Sequence, residues 1–170
     1  KAALDAYLAT TPPAVTVRSL EALIAFNKAE PREMPLFAQE IFEQTLAKPP
    51  ITDADYLNKR AEARALSRAA LDKMLGDNKL DAIVSPSNAP ASIVDPVNGS
   101  VSFGSPTTLP AVSGYPHLTV PAGAVSGLPL GLSFIGPAWS DARLLSLGYA
   151  FEQATRARRE PEFLPNVGAR

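Results

Sequence analysis

A serine becomes a nucleophile only with a base within hydrogen-bonding reach, and this chain offers many hydroxyls but one imidazole. Ser85, Ser87, Ser92, Ser100, Ser102, Ser105 and Ser113 crowd its second half, and His117 follows Pro116 at the start of an apolar run. A Ser-His-Asp site is open on residue types alone, but a histidine at a strand start reads first as structural. No G-x-S-x-G turn presents a nucleophile. With no Cys there is no thiolate nucleophile, disulfide or zinc–thiolate site, and one His cannot build a multi-histidine metal centre. Asp95-Pro96-Val97-Asn98-Gly99 lacks the acidic ladder of a calcium loop. Lys28, Lys48, Lys59, Lys73 and Lys79 all fall in the first half, at helix faces or ends, and read as solvated. The residues therefore assign no catalytic group, no metal ligand and no cofactor to this chain.

Substrate contact is a separate question. Ser85, Ser87 and Asn88 directly follow an apolar strand, and strand ends are where α/β proteins place sites. Asn88 can hydrogen-bond an amide with both donor and acceptor groups, although a turn-forming Asn ahead of Pro90 is the favoured alternative. Tyr115 either lines a pocket or packs. Ser87, Asn88 and Tyr115 are the substrate-contact candidates, expected to converge at one edge of the sheet. Trp139 reads as a hydrophobic staple ahead of the last helix.

The elements that must position these groups divide at residue 80 into a mainly helical part, 1–79, and a mixed part, 80–170. Residues 19–28 place Leu20, Leu23, Ile24 and Asn27 on one helical face, and a buried Asn27 would need a backbone partner. A second helix is predicted over 34–47, with Ala38, Ile41, Phe42, Thr45 and Leu46 on one side, stopped by Pro49-Pro50. A third is predicted from a Thr52/Asp55 capping box to Leu75, with Tyr56, Ala63, Leu66, Ala70 and Met74 as its core stripe and Gly76 as its stop. Arg60, Arg64 and Arg68 on it read as a solvated face.

In the mixed part, strands are predicted at 82–84, 117–121 and 130–136, the last two as antiparallel neighbours. A short helix at 109–113 is closed by Gly114, and residues 86–106 read as a long ordered loop. A last helix starts from Ser140, buries Leu144, Leu147, Gly148, Phe151 and Ala154, and carries Arg156, Arg158 and Arg159 in its final turn. Gly148 would let it approach the sheet closely, and Gly123 and Gly131 serve turn geometry or close packing. The expected class is α/β: a partial mixed sheet with covering helices.

Composition narrows the function. The chain has 170 residues, 46% of them hydrophobic, enough for one core. Its 16 Lys+Arg against 17 Asp+Glu imply no basic face, so nucleic acid is not an expected partner. No apolar run is long enough to span a bilayer and no signal peptide pattern opens the chain, so no membrane partner is expected and a cytoplasmic setting is. The start at Lys1 rather than Met leads to the expectation of a piece of a longer protein. The 17 Pro cluster beside strands and loops, where they end elements and block edge pairing.

Three segments carry a resemblance: SPSNAP at 85–90, GYPHLTVPAG at 114–123, and GLPLGLSFIGPAW at 127–139 followed by the helix DARLLSLGYAFEQATRARR. In order and spacing the chain resembles the C-terminal part of the amidase signature family of serine hydrolases, with the peptide-amidase-like subgroup nearest; SLEALIAFN at 19–27 is also similar to family members. The resemblance implies a fragment of an α/β/α fold with one large sheet between helical layers. It also implies hydrolysis of carbon–nitrogen amide bonds by the full-length parent through a serine acyl-enzyme. The family's Gly/Ser-rich segment, with its Ser-Ser pair, and its catalytic Lys have no counterpart here. Expected partners are accordingly a missing N-terminal catalytic section, a small amide substrate, and a second copy through exposed sheet surface. The alternative is a non-catalytic binding or interaction domain using half of this fold.

Overall fold

The computed structural model describes residues 1–170 apart from 33, 36, 37, 93, 94, 96, 98, 100–103, 162 and 164–170. Ser100, Ser102 and much of the loop expected over 86–106 lie outside the described residues. The chain falls into two compact units, Lys1–Arg60 and Ala61–Arg170.

The first unit opens with a helix that periodicity did not flag, α1 (Ala2–Ala9). Arg18 closes its end: the guanidinium donates to the carbonyls of Leu8, Thr11 and Pro12, satisfying acceptors a helix terminus leaves free. Asp5 Oδ1 accepts from the Leu20 N–H at 2.7 Å. Helix α2 (Leu20–Ala29) is capped by Ser19, whose Oγ accepts from Ala22 N–H, and buries Leu20, Ile24 and Asn27 as the spacing predicts. Helix α3 (Glu40–Leu46) is shorter than the predicted 34–47. Pro35 disfavours helical backbone at Met34, which keeps the helix from opening there, and Gln39 is its N-cap. Its expected apolar face is open, with Ile41 and Phe42 both exposed. The buried polar group there is Gln39, whose Nε2 donates to the Ile24 carbonyl at 3.4 Å.

Helix α4 (Ala54–Asp77) starts from Asp53, not Thr52: Asp53 Oδ1 accepts from Tyr56 N–H at 2.9 Å. The predicted core stripe is also displaced. Leu71 and Leu75 are buried, whereas Leu66 is 65% exposed and Tyr56 and Met74 are open. The helix runs past Gly76, and its end is a Schellman motif. Leu80 N–H reaches Leu75 O at 2.8 Å and Lys79 N–H reaches Gly76 O, with Lys79 in the left-handed region at φ 50°.

The second unit is built on a three-stranded sheet: β1 (Ile83–Pro86), β2 (His117–Val125) and β3 (Leu128–Ile135), in the order β1-β3-β2. Both pairings are antiparallel, so β1 and β2 point the same way on either side of β3. Parallel neighbours of a mixed sheet would have to lie beyond these strands. β2 continues through Pro121 to Val125 instead of stopping. A proline is tolerated on an edge strand, and the ladder bulges between Pro121 and Gly123. Ser126 and Gly127, at φ 49° and 76°, form the two-residue turn whose twist suits a hairpin.

Pleating sorts the side chains. One face puts Val120 and Phe134 against Leu144 of α6 (Asp141–Thr155), with Leu118, Leu132, Leu147 and Phe151 around them. The rings of Phe134 and Phe151 meet edge to face at 6.0 Å. A Cβ on Gly148 would lie 2.5 Å from Leu118 Cδ2, so this glycine permits the close approach expected of it. The other face packs Ile135 and Ile83 on Leu71 and Leu75 of α4. The layering is helix, sheet, helix. Trp139 is no staple: it is 95% exposed at φ 65°. Helix α6 stops at Thr155, with Arg156 as a left-handed C-cap, so Arg158 and Arg159 lie beyond its last turn.

Candidate functional site

β1 ends in Ser85-Pro86-Ser87-Asn88, and its leaving end opens onto a cleft of about 540 Å³. Ser85, Asn88, Pro90, Ser105 and Leu130 are among its walls. Such a concavity, apolar with a few polar groups, is the usual form of a small-molecule site. Asn88 is exposed and its Oδ1 accepts from the next N–H, that of Ala89, at 2.8 Å. That bond is the local turn role expected of an Asn at this position, and it leaves the amide NH₂ for other partners.

Behind the cleft the sheet carries a cluster of hydroxyls. Ser87 Oγ lies 2.8 Å from Ser133 Oγ and 3.2 Å from Thr119 Oγ1. Thr119 Oγ1 and Ser133 Oγ are 3.3 Å apart, and His117 Nε2 is 2.7 Å from Ser133 Oγ. Ser133 is completely buried. Register explains the meeting: Ser85, Ser133 and Thr119 sit opposite one another across three strands, and Ser87 follows on the same face. A Cβ on Gly131 would fall 2.7 Å from Thr119 Cγ2 and 2.9 Å from Ser87 Oγ, so only glycine leaves room for the cluster. The Ser87 backbone is also fixed. Its N–H bonds Gly131 O at 2.8 Å, and its carbonyl accepts from Ser105 Oγ at 3.1 Å.

Tyr115 lies elsewhere. It precedes β2 at the end of the sheet where β1 enters, packed beside Leu71, Leu75 and Ile135. Its hydroxyl donates to Asp72 Oδ1 at 2.7 Å, and the Arg68 guanidinium stands 5.9 Å from its ring centre. The Asp72 hydrogen bond pushes the phenol pKa up, helped by desolvation and by the carboxylate's charge, with Arg68 opposing. Arg68 Nε also donates to the Ser113 carbonyl at the end of α5 (Thr108–Ser113), which Gly114 closes at φ 77°. Arg68 is thus a brace between α4 and the α5–β2 turn, not part of a solvated face. The structure brings Ser87 and Asn88 together and leaves Tyr115 at the opposite end, against the expected convergence.

Sequence reasoning named His117 but missed its partner Ser133 and the neighbouring Thr119 of the same cluster. The signal was present: His117-Leu118-Thr119-Val120 and Leu132-Ser133-Phe134 alternate polar and apolar, which puts the polar groups on one sheet face. Among the described residues no group of three or more potential metal ligands occurs, and no helix is long and apolar enough to cross a membrane.

Residues 2–145 match the family model described as Amidase. The chain belongs to the amidase family. This amidase-family chain is 35% identical over 169 residues to a probable amidase of Arabidopsis thaliana, covering 96% of this chain and 29% of that protein. It superposes on the crystal structure of native peptide amidase from Stenotrophomonas maltophilia with a TM-score of 0.80 and 41% identity, over 96% of this chain and 33% of that one. A peptide amidase in complex with the competitive inhibitor chymostatin gives 0.83 and 41%, with the same coverage. The amidase-family chain thus spans about a third or less of the length of these relatives, and the α/β layering seen here is theirs.

Proposed function

We propose that this chain is the substrate-pocket side of an enzyme that hydrolyses carbon–nitrogen amide bonds through a serine acyl-enzyme. The Ser-Ser-Lys machinery would come from an N-terminal section of the same protein, and the substrate would be a small or terminal amide. The observation that carries the reading is the cleft at the end of β1, in a chain whose family match runs over residues 2–145. Similarity to peptide amidases at 41% identity supports terminal amides as the substrate class. In this reading Asn88 forms part of the pocket wall and Ser87 braces it from behind through Ser105. Tyr115, held by Asp72, acts only through the α4–β2 packing. The proposal includes a cytoplasmic setting, which cell fractionation tests. It also includes self-association of the isolated chain through the edge strand β1, where Val84 is exposed; a monodisperse monomer in sedimentation would remove that part.

The test is ammonia release from peptide amides and simple aryl amides by the product of the full reading frame containing this chain. Asn88→Ala in that enzyme is expected to raise KM about 2- to 12-fold, the worth of one hydrogen bond, with kcat changed less. Binding of amides without release would favour a non-catalytic module instead.

A further inference from the structure

The hydroxyl cluster imposes a proton count. Three oxygens, Ser87 Oγ, Thr119 Oγ1 and Ser133 Oγ, make three mutual contacts of 2.8–3.3 Å. Each hydroxyl owns one proton to donate and two lone pairs to accept with. Three bonds around a closed ring therefore use all three protons: Ser87 donates to Thr119, Thr119 to Ser133 and Ser133 to Ser87. Ser133 has spent its proton inside the ring, yet it makes a fourth contact, with His117 Nε2 at 2.7 Å. Being fully buried, Ser133 has no water to exchange for any of these partners. With all three ring contacts bonded in this way, the fourth bond is left for the imidazole to donate.

We infer that His117 is a positioning residue for the cleft, holding an Nε2–H that completes the hydroxyl ring and so fixes Ser87 and, through it, Ser105. The ring anchors the Ser87 side chain, and the Ser87 carbonyl accepts from Ser105 Oγ in the cleft wall. Ser105 Oγ also donates toward Thr107 Oγ1 at 3.1 Å, so its one proton is shared between that hydroxyl and the Ser87 carbonyl. A continuous chain of bonds thus runs from β2 to the head of α5. The same count removes His117 as a general base toward Ser133, since a base would have to accept there. The neutral Nε2–H form and the imidazolium both donate from Nε2, so the ring survives either protonation state. The link to an amide rests on the reading of the cleft proposed above.

His117 is the one histidine in the chain, so long-range proton–nitrogen correlation of its imidazole is unambiguous. The neutral ring of this chain is expected to give the Nε2–H pattern; an Nδ1–H pattern would overturn the inference. His117→Gln puts a donor where Nε2 stood, whereas His117→Asn falls short. Gln is therefore expected to restore the wild-type amide shifts of Ser87 and Ser105, and Asn and Ala to displace both. Equal displacement by all three would reduce His117 to a filler of space. In the full-frame enzyme, His117→Ala should raise KM about 2- to 12-fold with kcat held, and Gln should reverse it. An unchanged KM in an active enzyme would sink the positioning role while leaving amide hydrolysis standing. Absence of hydrolysis by the wild-type enzyme would remove the amide link, with the tautomer still judged by its spectrum.

Discussion

At the scale of single residues, the site depends on an absence of side chain. Gly131 lies under the hydroxyl ring, and a methyl there would push Thr119 and Ser87 apart. Both belong to or directly follow paired strands, so neither can swing away freely. Gly131→Ala is expected to lose about 1–3 kcal/mol of stability, the usual cost of overpacking, in urea unfolding. Tyr115 makes a second prediction, about pH. Its phenol pKa is raised in the folded state, chiefly because the protonated hydroxyl donates to Asp72. The contribution is fully present below the unfolded value of about 10 and is lost as pH climbs through the raised folded value. Stability measured from pH 8 to 11 should therefore fall more steeply for wild type than for Tyr115→Phe; parallel curves would exclude the linkage. These roles were only partly legible. Tyr115 as a packing residue was one of two open readings. Its Asp72 partner lies 43 positions away, which no local pattern encodes. Ser133 and Thr119 were visible as alternating polar residues, but alternation marks a face and does not say that three strands will align their hydroxyls.

At the scale of elements, residue types located the helices and strands, while local hydrogen bonds decided where they end. The Gly114 stop was legible because one residue does the work there. Gly76 misled because a glycine near a helix end suggests a C-terminal cap, and here the left-handed position falls three residues later, on Lys79. That displacement yields a prediction. A non-glycine residue in left-handed backbone costs roughly 1–2 kcal/mol, and a glycine there adds about 0.5–1 kcal/mol of unfolded-chain entropy. Lys79→Gly should come out stabilising by roughly 0.5–1 kcal/mol, read as a higher urea midpoint at unchanged slope. A loss of stability would mean that the lysine side chain contributes more than the strained backbone costs. The core stripe of α4 was misplaced for a different reason. Its alanines and arginines give little periodic contrast, so only the sheet selects Leu71 and Leu75. The arginines thought solvated include Arg68, which the α5 carbonyl recruits. β2 ran past its expected end because an edge strand can carry Pro121.

At the scale of the whole molecule, the chain has the layered fold of its family over a third or less of its relatives' length. In the proposed reading its polar groups hold a wall and break no bond. The hydroxyl ring engages Ser87 and Ser133 in mutual bonds, with an imidazole that donates where a base would accept. The sequence holds no Gly/Ser-rich Ser-Ser segment, and its lysines lie at helix faces or ends. Members of a catalytic unit act together, and loss of one removes most of the rate even when binding survives. The purified chain is therefore expected to release no ammonia from peptide or aryl amides and to take no label from a fluorophosphonate probe. Labelling of Ser87 that disappears in His117→Ala would reverse this conclusion, because it would require the imidazole to accept a proton through Ser133. Labelling that persists in His117→Ala would point to a serine outside the ring, and the search would pass to Ser105 and Ser85, the serines that line the cleft.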